Sequence, residues 1–167
     1  MKIHIIGGSG SGKSYIAARL SQKLHIPHYD LDDLFWDNES TEYGVKVPEV
    51  ERDHRLREIV SREAWIIEGV YRSWVEPSLS AADQIIVLTP PLSVQESRIW
   101  NRYEERIFGN VPGEKRETLE DVQRLITWNR EYNLKKLPHF IAQSNYRDKI
   151  IQVNDNLELI ERYCKRE

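Results

Sequence analysis

The sequence predicts an α/β fold in which a parallel sheet is covered by helices on both faces. Two observations carry this. Short apolar runs of strand length alternate with amphipathic helical stretches throughout the chain. The first alternation is joined by a glycine-rich turn, a connection that hands a strand over to a helix within a few residues.

The elements follow in order. Residues 3–6 form a short, mostly apolar stretch that stops at Gly7-Gly8, which predicts a buried strand. Residues 13–24 place Ile16, Leu20 and Leu24 on one helical face. A second short strand covers 26–29 and runs into Asp30-Leu31-Asp32-Asp33. Residues 48–63 read as a polar, exposed helix, and 65–67 as a third strand ending at Glu68-Gly69. The fourth strand, 84–88, is closed by Pro90-Pro91. Ser93 and Glu96 have the spacing of a capping box and start a helix through about residue 107. Residues 108–117 hold two glycines and a proline and form a loop, the best candidate for a mobile element. Thr118 and Asp121 then start a long helix. Pro138 ends or kinks it, because proline lacks the N–H and clashes with the preceding turn. Residues 149–153 are the fifth strand, and Asp155 with Glu158 caps a final helix.

A chain of 167 residues suffices for one domain, 1–167, whose core buries roughly 70% of the unfolded surface. The net charge of −3 gives no general attraction for nucleic acid or an anionic membrane. The single cysteine, Cys164, excludes an intrachain disulfide and reads as a small apolar side chain. No apolar run has the length of a bilayer span, and the N-terminus lacks a signal-peptide layout. A cytoplasmic location is the expectation.

The most specific motif is Gly7, Gly8, Ser9, Gly10, Ser11, Gly12, Lys13 and Ser14, which fits G-x-x-x-x-G-K-S, the Walker A pattern. Glycines let the backbone turn so that successive N–H groups point at phosphate oxygens. The helix that follows adds the positive end of its dipole. Lys13 is expected to bridge the β- and γ-phosphates, and Ser14 to ligate Mg²⁺. The motif lies between a predicted strand and a predicted helix, the context that gives it meaning.

In open parallel sheets, ligands bind beyond the carboxyl ends of the strands. Asp30, Asp32 and Glu68 all fall there. Glu68 occupies the position where an acid orients Mg²⁺, though Asp is the common residue; a base or a cap for the Gly69 turn are its other readings. Asp32 is the candidate on the acceptor side, where a carboxylate holds a hydroxyl and takes its proton. It equally suits a solvated helix start.

Arg98, Arg102 and Arg106 recur at spacing four on one helix face. Arg124 and Arg130 follow across the loop. Together they read as a lid over the triphosphate, approximately 102–130, with guanidinium groups matching the transferring phosphoryl group. Glu104, Glu105, Glu120 and Glu131 offer them solvated pairing instead.

The phosphate loop, residues 29–36, 65–71 and 82–90 together resemble the adenylate-kinase-related P-loop proteins. The nearest subgroup is the one named DNA topology modulation proteins. The match covers nearly the whole chain. It is specific at the phosphate loop, at Leu31-Asp32 with Trp36, and at Ile67-Glu68-Gly69-Val70-Tyr71. The resemblance implies a P-loop NTPase fold with strand order 2-3-1-4-5 and a lid after strand four. It implies ATP or GTP with Mg²⁺. Two departures stand out. Residues 30–42 hold six acids and no base where nucleoside monophosphate kinases place an arginine, and Thr89 stands where relatives often have an acid.

The expected activity is therefore ATP-dependent phosphorylation of a small acceptor held near Asp32 and Trp36. The acids argue against a nucleoside monophosphate, with Arg52, Arg55 or Arg72 able to offset them. A regulatory or nucleic-acid-associated NTPase is the alternative. Direct DNA binding is not expected, because residues 92–136 carry nine basic and eight acidic side chains.

Overall fold

The computed structural model describes residues 1–42, 44–109 and 117–164. Its strands are β1 (Lys2–Gly7), β2 (His28–Asp30), β3 (Trp65–Gly69), β4 (Gln84–Leu88) and β5 (Ile150–Val153). They form one parallel sheet in the order β2-β3-β1-β4-β5, as the resemblance implies. Alternate strand residues supply two different cores, as the two-residue period of a strand requires. Ile6, Trp65, Ile67, Ile85 and Val87 face one side; Ile3, Ile5, Ile66, Ile86 and Leu88 face the other. Burial on both faces is why the central strands read as largely apolar runs rather than as an alternation.

The helices are α1 (Lys13–Leu24), α2 (Asp32–Phe35), α3 (Glu49–Val60), α4 (Glu76–Ala81), α5 (Leu92–Phe108), α6 (Leu119–Glu131), α7 (Leu137–Gln143) and α8 (Asn156–Cys164). The Thr118–Asp121 capping box forms as expected at the start of α6. Asp155 likewise accepts from the backbone N–H of Leu157 at 2.8 Å, before α8.

Several expectations need correction. Ser93 and Glu96 do not cap α5; the helix starts behind Pro91 with no side-chain cap. Glu96 is drawn away by Arg130, which grips it with two hydrogen bonds of 2.5 and 3.0 Å. Helix α3 is not simply exposed, because it buries Arg52, Leu56 and Ile59. The Arg52 guanidinium lies 4.6 Å from the centre of the Trp74 ring, so a cation on an apolar face is stabilised by an aromatic partner. The short helices α2 and α4 carry too few turns to show a period. Helix α6 ends at Glu131, short of Pro138, but the helical path continues. It passes through a π-helical turn, Tyr132–Lys136, into α7, where Pro138 sits in the first turn and needs no N–H partner. Residues 110–116 of the expected loop and the side chain of Cys164 lie outside the described residues. No described helix is long and apolar enough to cross a membrane.

The register brings the chemistry to one edge. β1 pairs Ile5 with Glu68 and Gly7 with Leu88, while β2 pairs Asp30 with Glu68. The carboxylates and the start of the glycine loop thus share the carboxyl end of the sheet.

Candidate active site

The loop between β1 and α1 turns on Gly10 and Gly12, at φ values of +74° and +94°. L side chains adopt such values only with strain, so these two positions require glycine. Lys13, in the first turn of α1, reaches back and donates to the carbonyl of Gly8 at 3.0 Å. Burial pulls its ammonium below the ordinary lysine range, and the nearby Glu68, Asp32 and Asp30 carboxylates oppose that. Ser14 donates from Oγ to Glu68 Oε1 at 2.5 Å. Burial raises Glu68 above the ordinary glutamate range, against the Ser14 hydrogen bond and the Lys13 charge.

Asp30 caps the next segment by accepting from the backbone N–H of Asp32 at 2.8 Å. Burial also raises Asp30. Asp32 accepts from the Tyr71 hydroxyl at 2.6 Å. That phenol stays protonated well above its ordinary range, first because it is buried and then because the carboxylate holds its proton. Tyr71 also packs against Phe35 and Trp74. This aromatic group fixes the ring, and the ring in turn orients Asp32.

Trp36 and Arg72 do not meet. Trp36 lines a cavity of about 350 Å³ with Asp37, Asn38 and Glu42. Arg72 lines another, of about 340 Å³, with Tyr71, Trp128, Tyr132 and Lys136. The Arg72 guanidinium lies over the Tyr132 ring, and its Nε is buried without a hydrogen-bond partner among the described residues. Tyr71 lines the second cavity and holds Asp32, and the Trp36 side chain also hydrogen-bonds Tyr71, so this one phenol links Asp32 to the Arg72 cavity and to Trp36.

The arginine row divides as well. Arg98 donates to the carbonyl of Gly10 at 3.1 Å, and Arg102 donates to Ser9 Oγ at 3.0 Å. Arg106 instead pairs with Glu117 at 3.0 Å, and Arg124 with Asp121 at 2.8 Å. Only the first two reach the phosphate loop.

Two asparagines at the site lie outside the motifs read from the sequence. Asn129 accepts from the Ser9 N–H at 2.7 Å, and Asn156 donates to the Ser11 carbonyl at 3.0 Å. A cavity of about 640 Å³ opens beside Asn156, lined also by Gly12, Tyr15, Pro91 and Arg98.

No family model matches the chain. The uncharacterized protein YqaC of Bacillus subtilis is 32% identical over 108 residues, which is 65% of this chain and 59% of YqaC, less than two thirds of that relative. A cytidylate kinase of Halorubrum lacusprofundi is 30% identical over 133 residues, covering 72% of this chain and 68% of the kinase. The chain belongs to the family of cytidylate- and adenylate-kinase-like P-loop kinases. An adenylate kinase of a Mycobacterium species adds 46% identity over 48 residues, 28% of this chain and 26% of that one. Among solved structures, a Mycoplasma mycoides deoxyadenosine kinase with bound dATP matches with a TM-score of 0.62 and 20% identity, over 98% of this chain and 97% of that one. A Sinorhizobium meliloti gluconokinase matches with a TM-score of 0.58 and 16% identity, over 97% and 88%. At these identities the structural likeness is one of fold.

Proposed function

We propose that the protein transfers the γ-phosphoryl group of ATP, or GTP, to a small acceptor bound between Asp32 and Arg72. The observation that carries this is the pairing of two half-sites at one sheet edge. A phosphate loop with Lys13 and the Ser14–Glu68 pair faces a carboxylate, Asp32, held by Tyr71 beside a separate cavity. A pure switch has no use for the second half.

The roles follow from the chemistry of each group. The loop N–H groups and Lys13 hold the triphosphate, and the cavity beside Tyr15, Arg98 and Asn156 takes the nucleoside. The Ser14 hydroxyl and Glu68 carboxylate fit Mg²⁺ as oxygen donors beside the phosphates. Among the described residues no group of three or more His, Cys, Asp or Glu side chains could cage a metal alone, so phosphate oxygens would share it. When bound, Mg²⁺ neutralises charge developing on the phosphates. Arg98 and Arg102 already touch the loop and are the arginines suited to the transferring group. Closure of the 102–130 region over the phosphates is part of this reading, without Arg106. Asp32 takes the acceptor proton.

Arg72 and Lys136 give the acceptor cavity two cations among aromatic walls. A hydroxyl-bearing acceptor with an anionic group elsewhere satisfies both ends. The cytidylate kinase relative and Arg72 favour one second reading, in which the anion is a nucleotide phosphate and is itself the acceptor. A screen of hydroxy acids, sugars, nucleosides, amino alcohols and nucleoside monophosphates for ATP-dependent phosphorylation separates the two. Turnover is expected with a hydroxyl-bearing anion. Robust transfer to CMP or AMP overturns the expected exclusion of monophosphates. ATP binding without any acceptor leaves a regulatory NTPase. The topology-modulation resemblance adds no substrate, since that name describes a phenotype.

Direct binding to duplex DNA is expected to be weak. Arg98 and Arg102 are turned onto the loop, and Arg106, Arg124 and Arg130 are neutralised by Glu117, Asp121 and Glu96. Among the described residues these arginines form no continuous basic stripe, and few counterions would be released. A mobility-shift titration at low and physiological salt checks this. Tight, salt-sensitive binding that competes with ATP would transfer Arg98 and Arg102 to DNA contact.

A further inference from the structure

Three carboxamides, Gln95, Asn129 and Asn133, meet behind the phosphate loop, and the first two are 0% exposed. Amides are retained in such places when their hydrogen bonds are made, and here each direction is determined. Gln95 donates from Nε2 to the carbonyl of Pro90 at 2.8 Å. A carbonyl only accepts, so the amide cannot be turned over, and Oε1 must face the two asparagines. Asn129 and Asn133 each donate to it at 3.1 Å. Asn133 also donates to the Asn129 carbonyl at 2.8 Å. With its Nδ2 committed to Gln95, Asn129 can present only Oδ1 to the loop, and Oδ1 accepts from the Ser9 N–H at 2.7 Å. A polarity thus runs from the Pro90 carbonyl, through the Gln95 and Asn129 amides, to one peptide of the phosphate loop. Gly8 makes room for it, because a Cβ there would run into all three amide groups.

We propose that Asn129, oriented by Gln95 and Asn133, is a positioning residue that sets the Gly8–Ser9 peptide of the phosphate loop before any ligand arrives. A loop already ordered loses less freedom on binding, and its donors need no reorganisation. The consequence for phosphate binding rests on the phosphotransferase reading; the positioning itself does not.

The test uses the full chain and the Asn129→Ala variant. Amide exchange followed by NMR without nucleotide is expected to be about tenfold or more faster at Ser9 in the variant, with β1 and β3 unchanged. Calorimetry with ATP–Mg²⁺ and with inorganic tripolyphosphate–Mg²⁺ is expected to show both affinities falling together by about tenfold, since the loss lies at the phosphates. If Asn129→Ala does not fold, Asn133→Ala carries the test, because it removes a donor that steadies Asn129 and spares the loop contact. It is then expected to show the same pattern at smaller amplitude. Wild-type exchange at Ser9 in the folded variant overturns the proposal, as does unchanged affinity for both polyphosphates. Should the wild-type chain bind neither polyphosphate, the phosphotransferase reading fails, and the exchange at Ser9 still decides the positioning.

Discussion

Replacing Lys13 with alanine is expected to abolish measurable ATP–Mg²⁺ binding while the chain stays folded. The ammonium stands where the Glu68, Asp32 and Asp30 carboxylates converge. Without it, three acids face an incoming triphosphate with only backbone N–H groups and the arginines to attract it. Truncating one partner of a buried hydrogen-bonded charge pair costs about 2–5 kcal/mol, a loss of roughly thirtyfold to several thousandfold in affinity. Stability is much less affected. The wild-type ammonium is held against its own desolvation, and its hydrogen bond goes to a loop carbonyl. Calorimetric titration alongside thermal melting checks both halves. Unchanged affinity in a folded variant removes the phosphate loop from the proposed function.

Asp32→Asn is expected to separate transfer from binding. The amide keeps an oxygen that can accept from the Tyr71 hydroxyl, so the Asp32–Tyr71 arrangement persists. What it lacks is the ability to take a proton from the acceptor. A positioned general base contributes roughly 10²–10⁴ in rate, and turnover should fall by that factor at unchanged ATP affinity. An equal loss of ATP binding would instead assign Asp32 to the magnesium shell. Undiminished transfer would reject it as the base, as expected if the acceptor oxygen already belongs to a phosphate.

How much of this could be read from the residues depends on the range of the forces involved. The sheet and α1 were legible because an apolar period is written locally, in Ile3, Ile5 and Ile6 or in Ile16 and Leu20. The phosphate loop was legible because its spacing is the chemistry. The division of the arginines was not, since it depends on which acid each meets across space: Glu117 is eleven residues beyond Arg106, and Glu96 lies 34 before Arg130. Trp36 and Arg72 both follow strand ends, yet the aromatic group around Phe35 and Tyr71 sends them to different cavities. One overlooked signal was present. Val122 and Ile126 begin a buried stripe that continues at helical spacing to Asn129 and Asn133. Two amides on an apolar stripe ask for partners, but nothing in the sequence says that the partner is the first loop of the chain.

The π-helical turn at Tyr132–Lys136 has a geometric result. Four residues of α-helix overshoot a full turn by about 40°, so side chains at that spacing drift steadily around the axis. The wider turn falls short of a full circle and takes the drift back. Trp128, Tyr132 and Lys136 therefore stand in one file along the acceptor cavity, while Asn129 and Asn133 form a parallel file along the phosphate loop. The one extra residue works like a vernier that keeps both files in step. Deleting Leu134 from the exposed side of the turn would let it relax to α-helix, and Lys136 would swing out of line with the two aromatic rings.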